Sequence, residues 1–209
     1  RRPQRRLQVR QSKRQGRVRL RRKLYRLTGQ VFTGMQADLG KNYFELFGLP
    51  ITFDLDVADL AARYRDLQRR FYPDRFASAS EPERRLSLQL TAQVNAAFQT
   101  LKDPVARARY LLGLQGVDTG EDTDTAMDTA FLMEQMELRE SLAEAREAAD
   151  RHVRLESLRQ RVDEEFEARS AQLRTRFMEN SEPARRQARN LVREMQFLQK
   201  LAHEVEELE

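Results

Sequence analysis

Five arginines and a Pro-Asp turn stand together in one short stretch of the chain. Arg63, Arg65, Arg69 and Arg70 precede Tyr72-Pro73-Asp74, and Arg75 follows it. Guanidinium groups are permanently charged and present forked donors. A cluster of them suits an acidic partner surface, steering its approach and fixing its orientation. Pro73 sets the turn, and Asp74 offers a carboxylate. A solvated helix face, with Asp66 as local partner, is the competing reading.

A second constellation lies between residues 127 and 148. At about 100° per residue, Phe131, Leu138, Leu142 and Ala145 fall on one stripe, as core residues do. Leu132, Met133 and Met136 fall on other faces, and Glu137, Glu140 and Glu144 share that outward sector. An apolar patch rimmed by carboxylates points to a binding surface, and methionine suits adaptable contacts. Burial of this side against the linker or the preceding domain is the alternative. On the last predicted helix, Leu191, Met195, Leu198 and Ala202 form a stripe, with Phe197 off its centre near Leu201. An exposed Phe197 would extend the patch, whereas a broad core face would bury it.

Nothing else in the chain offers chemistry. His152 and His203 have no neighbouring carboxylate or hydroxyl set out as a relay, and read as surface residues. There is no Gly-rich phosphate loop and no HExxH. Cysteine is absent, which excludes disulfides, thiol catalysis and cysteine-held clusters. No catalytic residue, metal or cofactor is expected, and the chain is not expected to be an enzyme.

The elements that position these residues are helices. Asn42 with Glu45 reads as a capping box, and Gly48 and Pro50 stop that short helix. Asp56 can cap a helix carrying Val57, Leu60, Ala61, Tyr64, Leu67 and Phe71 at helical spacing, ended by Pro73. Ser80 and Glu83 open the next helix, and Asp103-Pro104 opens a shorter one that closes near Gly116. Residues 117–126 are polar and acidic and read as a linker. Three longer helices, about 127–148, 150–179 and 183–208, then read as a three-helix bundle. With 8 Gly, 6 Pro and no Trp in 209 residues, the chain lacks the turn formers of a many-stranded fold, and no strand alternation is seen. The expected fold is all-α. No apolar run approaches the ~18 residues of a membrane span.

The net charge of +5 conceals an asymmetry. Residues 1–34 hold 13 of the 38 Lys and Arg and none of the 33 Asp and Glu, which leaves the rest with 25 basic and 33 acidic side chains, a net of −8. Three readings of this arm stay open. It is upstream sequence not natively translated, Met35 being the first internal methionine; a mitochondrial transit peptide; or a nucleic-acid-binding arm. Tyr25 and Phe32 are few aromatics for a stacking surface, so nucleic acid is not the expected partner. The arm is expected to be unstructured or not native. A start at Met35 implies a bacterial cytoplasmic protein, and a transit segment implies the mitochondrial matrix.

Two segments carry a family resemblance. RYRDLQRRFYPDRFAS (63–78), running on to NAAFQTLKDPVARARYLL (95–112), resembles a J-domain. DTAFLMEQMELRE (128–140) resembles the start of the C-terminal domain of HscB, the J-protein co-chaperone of iron–sulfur cluster assembly, and NYFELFGLP (42–50) fits the HscB opening. The resemblance implies a J-domain over 35–116, linker 117–126 and a scaffold-binding bundle over 127–209. It implies an adaptor, monomeric alone, that binds an IscU-type scaffold and presents it to an HscA/DnaK-type chaperone whose ATPase it stimulates. Leu132, Met133, Met136, Glu137, Glu140, Glu144 and Phe197 would face the scaffold. Tyr72, Pro73, Asp74, Arg63, Arg65, Arg69, Arg70 and Arg75 would face the chaperone. One residue departs from the pattern: the family's turn reads His-Pro-Asp, and here Tyr72 takes the histidine's place. A sequence error or point change, an engineered inactive form and a natural binding-only J-like protein all remain open.

Overall fold

The computed structural model describes residues 38–77, 79–119 and 129–208. The arm 1–34 and linker residues 120–126 lie outside the described residues, as do the side chains of Pro73 and Arg75. Every regular element among the described residues is helical: α1 Tyr43–Phe47, α2 Val57–Phe71, a 3-10 turn Pro73–Phe76, α3 Glu81–Lys102, α4 Pro104–Leu114, α5 Thr129–Glu147, α6 Arg151–Glu179 and α7 Glu182–Glu206.

Side-chain caps set several boundaries, at Asn42, Asp56 and Ser80–Glu83 as expected and at Ser181 besides. Asn42 Oδ1 accepts from Glu45 N at 2.9 Å, and Glu45 Oε2 accepts from Asn42 N at 3.0 Å, closing the capping box of α1. Gly48 ends α1 at φ 63°, where a side chain would be strained. Asp56 Oδ1 accepts from Ala58 N at 2.8 Å and so opens α2. Glu83 Oε2 accepts from Ser80 N at 2.9 Å ahead of α3. Ser181 Oγ accepts from Ala184 N at 3.2 Å, after Asn180 has turned the chain at φ 45°.

The chain divides into two compact units. The first holds the described residues up to Leu49 together with Ala61–Phe98. Phe44, Leu46, Phe47, Phe71, Leu90, Val94 and Ala97 are buried in it. The second holds Pro50–Leu60 and the described residues from Gln99 onward. Its largest core joins Leu138, Leu142 and Ala145 of α5, Leu155, Leu158 and Val162 of α6, and Leu198, Leu201 and Val205 of α7. α5, α6 and α7 pack on one another as the expected three-helix bundle, and α4 packs on α7.

Asp103 ties α4 into that second unit. Its Oδ1 accepts from Ala106 N at 2.7 Å, and its Oδ2 accepts from Gln199 Nε2 of α7 at 2.5 Å. Asp103→Ala removes the cap and the cross-helix bond together. The expected loss is about 1.5 kcal/mol, seen as a thermal midpoint lowered by roughly 3–6 °C in a melt followed by circular dichroism. An unshifted midpoint would show that neither bond matters.

Candidate functional site

The first candidate surface is the end of α2. Arg65, Arg69 and Arg70 are exposed there. Arg69 pairs with Asp66, the local partner the sequence offers. Arg70 lies 3.6 Å from Asp38, and its guanidinium stands 5.0 Å from the Phe71 ring centroid. Arg63 behaves differently. Its Nη1 donates to the carbonyls of Phe47 and Gly48, at 3.1 Å each, so it caps the C-terminus of α1 rather than standing free on the face. A cation on the last carbonyls of a helix is favoured by the helix dipole. Tyr72 is 54 % exposed and Asp74 is exposed, so these two side chains face solvent.

The second surface is the outward side of α5. Phe131, Leu138, Leu142 and Ala145 are its buried residues, as the periodicity required. Leu132, Met133 and Met136 are 42, 62 and 73 % exposed. Glu137, Glu140 and Glu144 are exposed beside them. The rim is partly neutralised from α6: Arg161 lies 3.3 Å from Glu137, and Arg154 lies 3.8 Å from Glu144.

Phe197 is neither wholly buried nor free. It is half-buried, with its ring edge-on to Phe131 at 5.9 Å between centroids. The Arg139 guanidinium stands 5.5 Å from its centroid and pairs with Glu204 at 2.5 Å. An apolar core face on one side and a cation on the other account for the intermediate exposure. Phe197 therefore meets the buried stripe of α5 at Phe131.

An ion cluster links α5 to α6 and α7. Arg169 of α6, whose side chain is 12 % exposed, pairs with Glu134 of α5, Glu165 of α6 and Glu194 of α7. Its guanidinium also lies 5.9 Å from the Phe131 centroid. A buried cation is tolerated when its donors are satisfied, and here the satisfying carboxylates come from all three helices. Arg107 of α4 is more deeply buried than Arg169. It donates to Leu101 O at 2.6 Å and stands 5.1 Å from the Phe53 ring centroid. Burial pushes its guanidinium below the ordinary value, and Asp103 and Asp54 push it back up. Both arginines escaped the sequence reading, because periodicity marks apolar positions and gives no sign of an arginine turned inward.

The second unit also contains a cavity of 370 Å³ with apolar walls from Ile51, Phe53, Leu111 and Phe177. Its lining includes Arg174 and Asp54, which face each other at 3.5 Å, and no histidine. Among the described residues, no three His, Asp or Glu side chains are grouped to hold a metal ion. None of the described helices is long and apolar enough to cross a membrane.

These two surfaces can be set beside known proteins. The family described as HSCB C-terminal oligomerisation domain matches residues 127–206. The co-chaperone protein HscB homolog of Shewanella amazonensis is 45% identical over 168 residues, which cover 80% of this chain and 97% of the relative. This chain belongs to the HscB co-chaperone family. The HscB homolog of Vibrio cholerae is likewise 45% identical, with 80% of this chain and 96% of the relative covered. Among solved structures, chaperone HscB from Vibrio cholerae aligns at TM-score 0.71 and 44% identity, covering 80% of this chain and 96% of that one. Human co-chaperone protein HscB aligns at TM-score 0.73 and 29% identity, covering 80% of this chain and 81% of that one. The HscB fold of the chain is thus all-α, with an N-terminal J-domain and a C-terminal helical bundle. Its family relatives are co-chaperones rather than enzymes.

Proposed function

We propose that this HscB-family chain is a two-handed adaptor in iron–sulfur cluster biogenesis. One hand, the α5 patch of Leu132, Met133 and Met136 with its rim of Glu137, Glu140 and Glu144 and with Phe197, binds an IscU-type scaffold. The other is the turn Tyr72-Pro73-Asp74 with Arg65, Arg69, Arg70 and Arg75, which addresses an HscA/DnaK-type chaperone. Arg63 supports that face from within by capping α1. The observation that carries the reading is the exposure of three large apolar side chains side by side on a helix whose opposite side is fully packed. A soluble helix keeps such a patch where a partner covers it.

The functional division follows the chain, with the J-domain at 35–116, a linker at 117–126 and the scaffold-binding bundle at 127–209. Joining the two binding sites in one molecule raises the scaffold's effective concentration at the chaperone. The bacterial relatives favour the cytoplasm as its compartment.

Calorimetric titration of the chain with a purified IscU-type scaffold, and separately with an ATP-loaded HscA-type chaperone, tests this. Saturable binding to each partner is expected. Absence of scaffold binding overturns the reading of the α5 patch, and absence of chaperone binding overturns that of the arginine face. Tyr72 favours a second reading, in which the chain recruits scaffold without triggering ATP hydrolysis.

A further inference from the structure

The Phe71 carbonyl is the last of α2, and local geometry leaves it without a backbone donor. The final carbonyls of a helix have no intrahelical partners. Here the ladder cannot continue, because Pro73 lacks an N–H and drives Tyr72 out of the helical region. Tyr72 accordingly lies at φ −56° and ψ 126°. The missing donors come from α3. Ser87 Oγ donates to Phe71 O at 2.7 Å. Thr91 Oγ1 shares its single proton between the same oxygen, at 3.1 Å, and Ser87 O, at 2.8 Å, and so backs up the Ser87 bond. Ser87 is fully buried. The two residues are one turn apart, so both hydroxyls stand on one side of α3.

We infer that Ser87 and Thr91 are positioning residues for the Tyr72-Pro73-Asp74 turn. The inference rests on the reading of that turn as the chaperone-facing element. A peptide unit is planar, so holding the Phe71 oxygen holds the nitrogen of Tyr72 as well. The turn then leaves α2 in one direction. Tyr72 and Asp74 are exposed, so the backbone rather than packing aims their side chains. Without the two hydroxyls, Phe71 O is left buried and unpaired unless the turn swings to find water. The pair therefore acts on recognition through the turn and touches no partner itself.

The test uses the full chain carrying Ser87→Ala with Thr91→Val, Ser87→Ala alone, and the conservative Thr91→Ser. Three quantities are measured: affinity for an ATP-loaded HscA-type chaperone, affinity for an IscU-type scaffold, and the amide chemical shifts of Tyr72 and Asp74. The double variant is expected to lose about fivefold to tenfold in chaperone affinity, the range of one or two hydrogen bonds. Its Tyr72 and Asp74 amides should move, its scaffold affinity should hold, and Thr91→Ser should match the unsubstituted chain. If the double variant does not fold, Ser87→Ala alone carries the same expectations. Unchanged chaperone affinity with unmoved amides overturns the inference. If the unsubstituted chain itself fails to bind chaperone, the chaperone reading has failed separately. The amides then decide alone: movement upholds the anchor, and none overturns it.

Discussion

Exchanging Leu132, Met133 and Met136 together for alanine is expected to weaken scaffold binding by about a hundredfold, at roughly 1 kcal/mol for each side chain buried at the interface. All three side chains are substantially exposed, so truncation opens no cavity in the bundle. Alanine is also the best helix former, so α5 keeps its local stability. Surface changes of this kind usually move stability by no more than about 0.5 kcal/mol. The contrast is Leu138, fully buried on the opposite side of the same helix. Leu138→Ala would cost about 2–5 kcal/mol of folding free energy and is the control for damage to the fold. Single charge changes on the rim should do less than the triple change, because Arg161 and Arg154 already pair with Glu137 and Glu144. Titration of the triple variant with scaffold, beside a thermal melt, separates the effects. A folded triple variant that binds as tightly as the unsubstituted chain would remove the patch from the interface.

How far these surfaces could be read from sequence depends on the kind of signal each residue leaves. Caps leave a local one. Asn42, Asp56 and Asp103 are short polar residues before apolar runs, and each accepts a backbone N–H where expected, while Ser80 donates its own N–H to the expected Glu83. Periodicity leaves another, and the four buried residues of α5 were legible from their spacing alone. It also marked Leu132, Met133 and Met136 as outward, since a residue absent from the core stripe must point elsewhere.

Long-range partnerships leave no such signal. Arg63 shares its helix with Arg65, Arg69 and Arg70 and so reads as one of their face, yet its bonds go to carbonyls fifteen and sixteen residues earlier. Arg169 is one arginine among many on α6, and only tertiary packing brings Glu134 and Glu194 to it. The grouping of Pro50–Leu60 and α4 with the bundle is of the same kind, resting on contacts such as Asp103 with Gln199, 96 residues apart. Phe197 falls between its two expectations, because edge-on packing against Phe131 and cover by Arg139 both depend on another helix, α5.

Replacing Tyr72 with histidine is expected to raise chaperone ATP hydrolysis in a single-turnover assay by roughly tenfold to a hundredfold, the effect of one good hydrogen bond to a charged group. The substitution is clean for structural reasons. Tyr72 is 54 % exposed, so no core contact goes with its ring. Its backbone leaves α2 under the control of Pro73 and of the hydroxyls on Phe71 O, none of which the exchange touches. The folded population should therefore stay the same, with stability moving by no more than about 0.5 kcal/mol. What changes is the group offered to the partner. A phenol ends in a single hydroxyl at the far side of a six-membered ring, whereas an imidazole offers two nitrogens close to the backbone. Pro73 and Asp74 are common to both proteins, so docking should survive in each. The assay is run on the full chain and its Tyr72→His variant, with and without an IscU-type scaffold. Acceleration by the variant alone makes the chain as it stands a recruiter with a silent turn. Equal acceleration by both makes tyrosine an adequate occupant of the position and removes the histidine's special role. Acceleration by neither, with scaffold still bound, means that this turn does not act on the chaperone, and the function reduces to holding the scaffold.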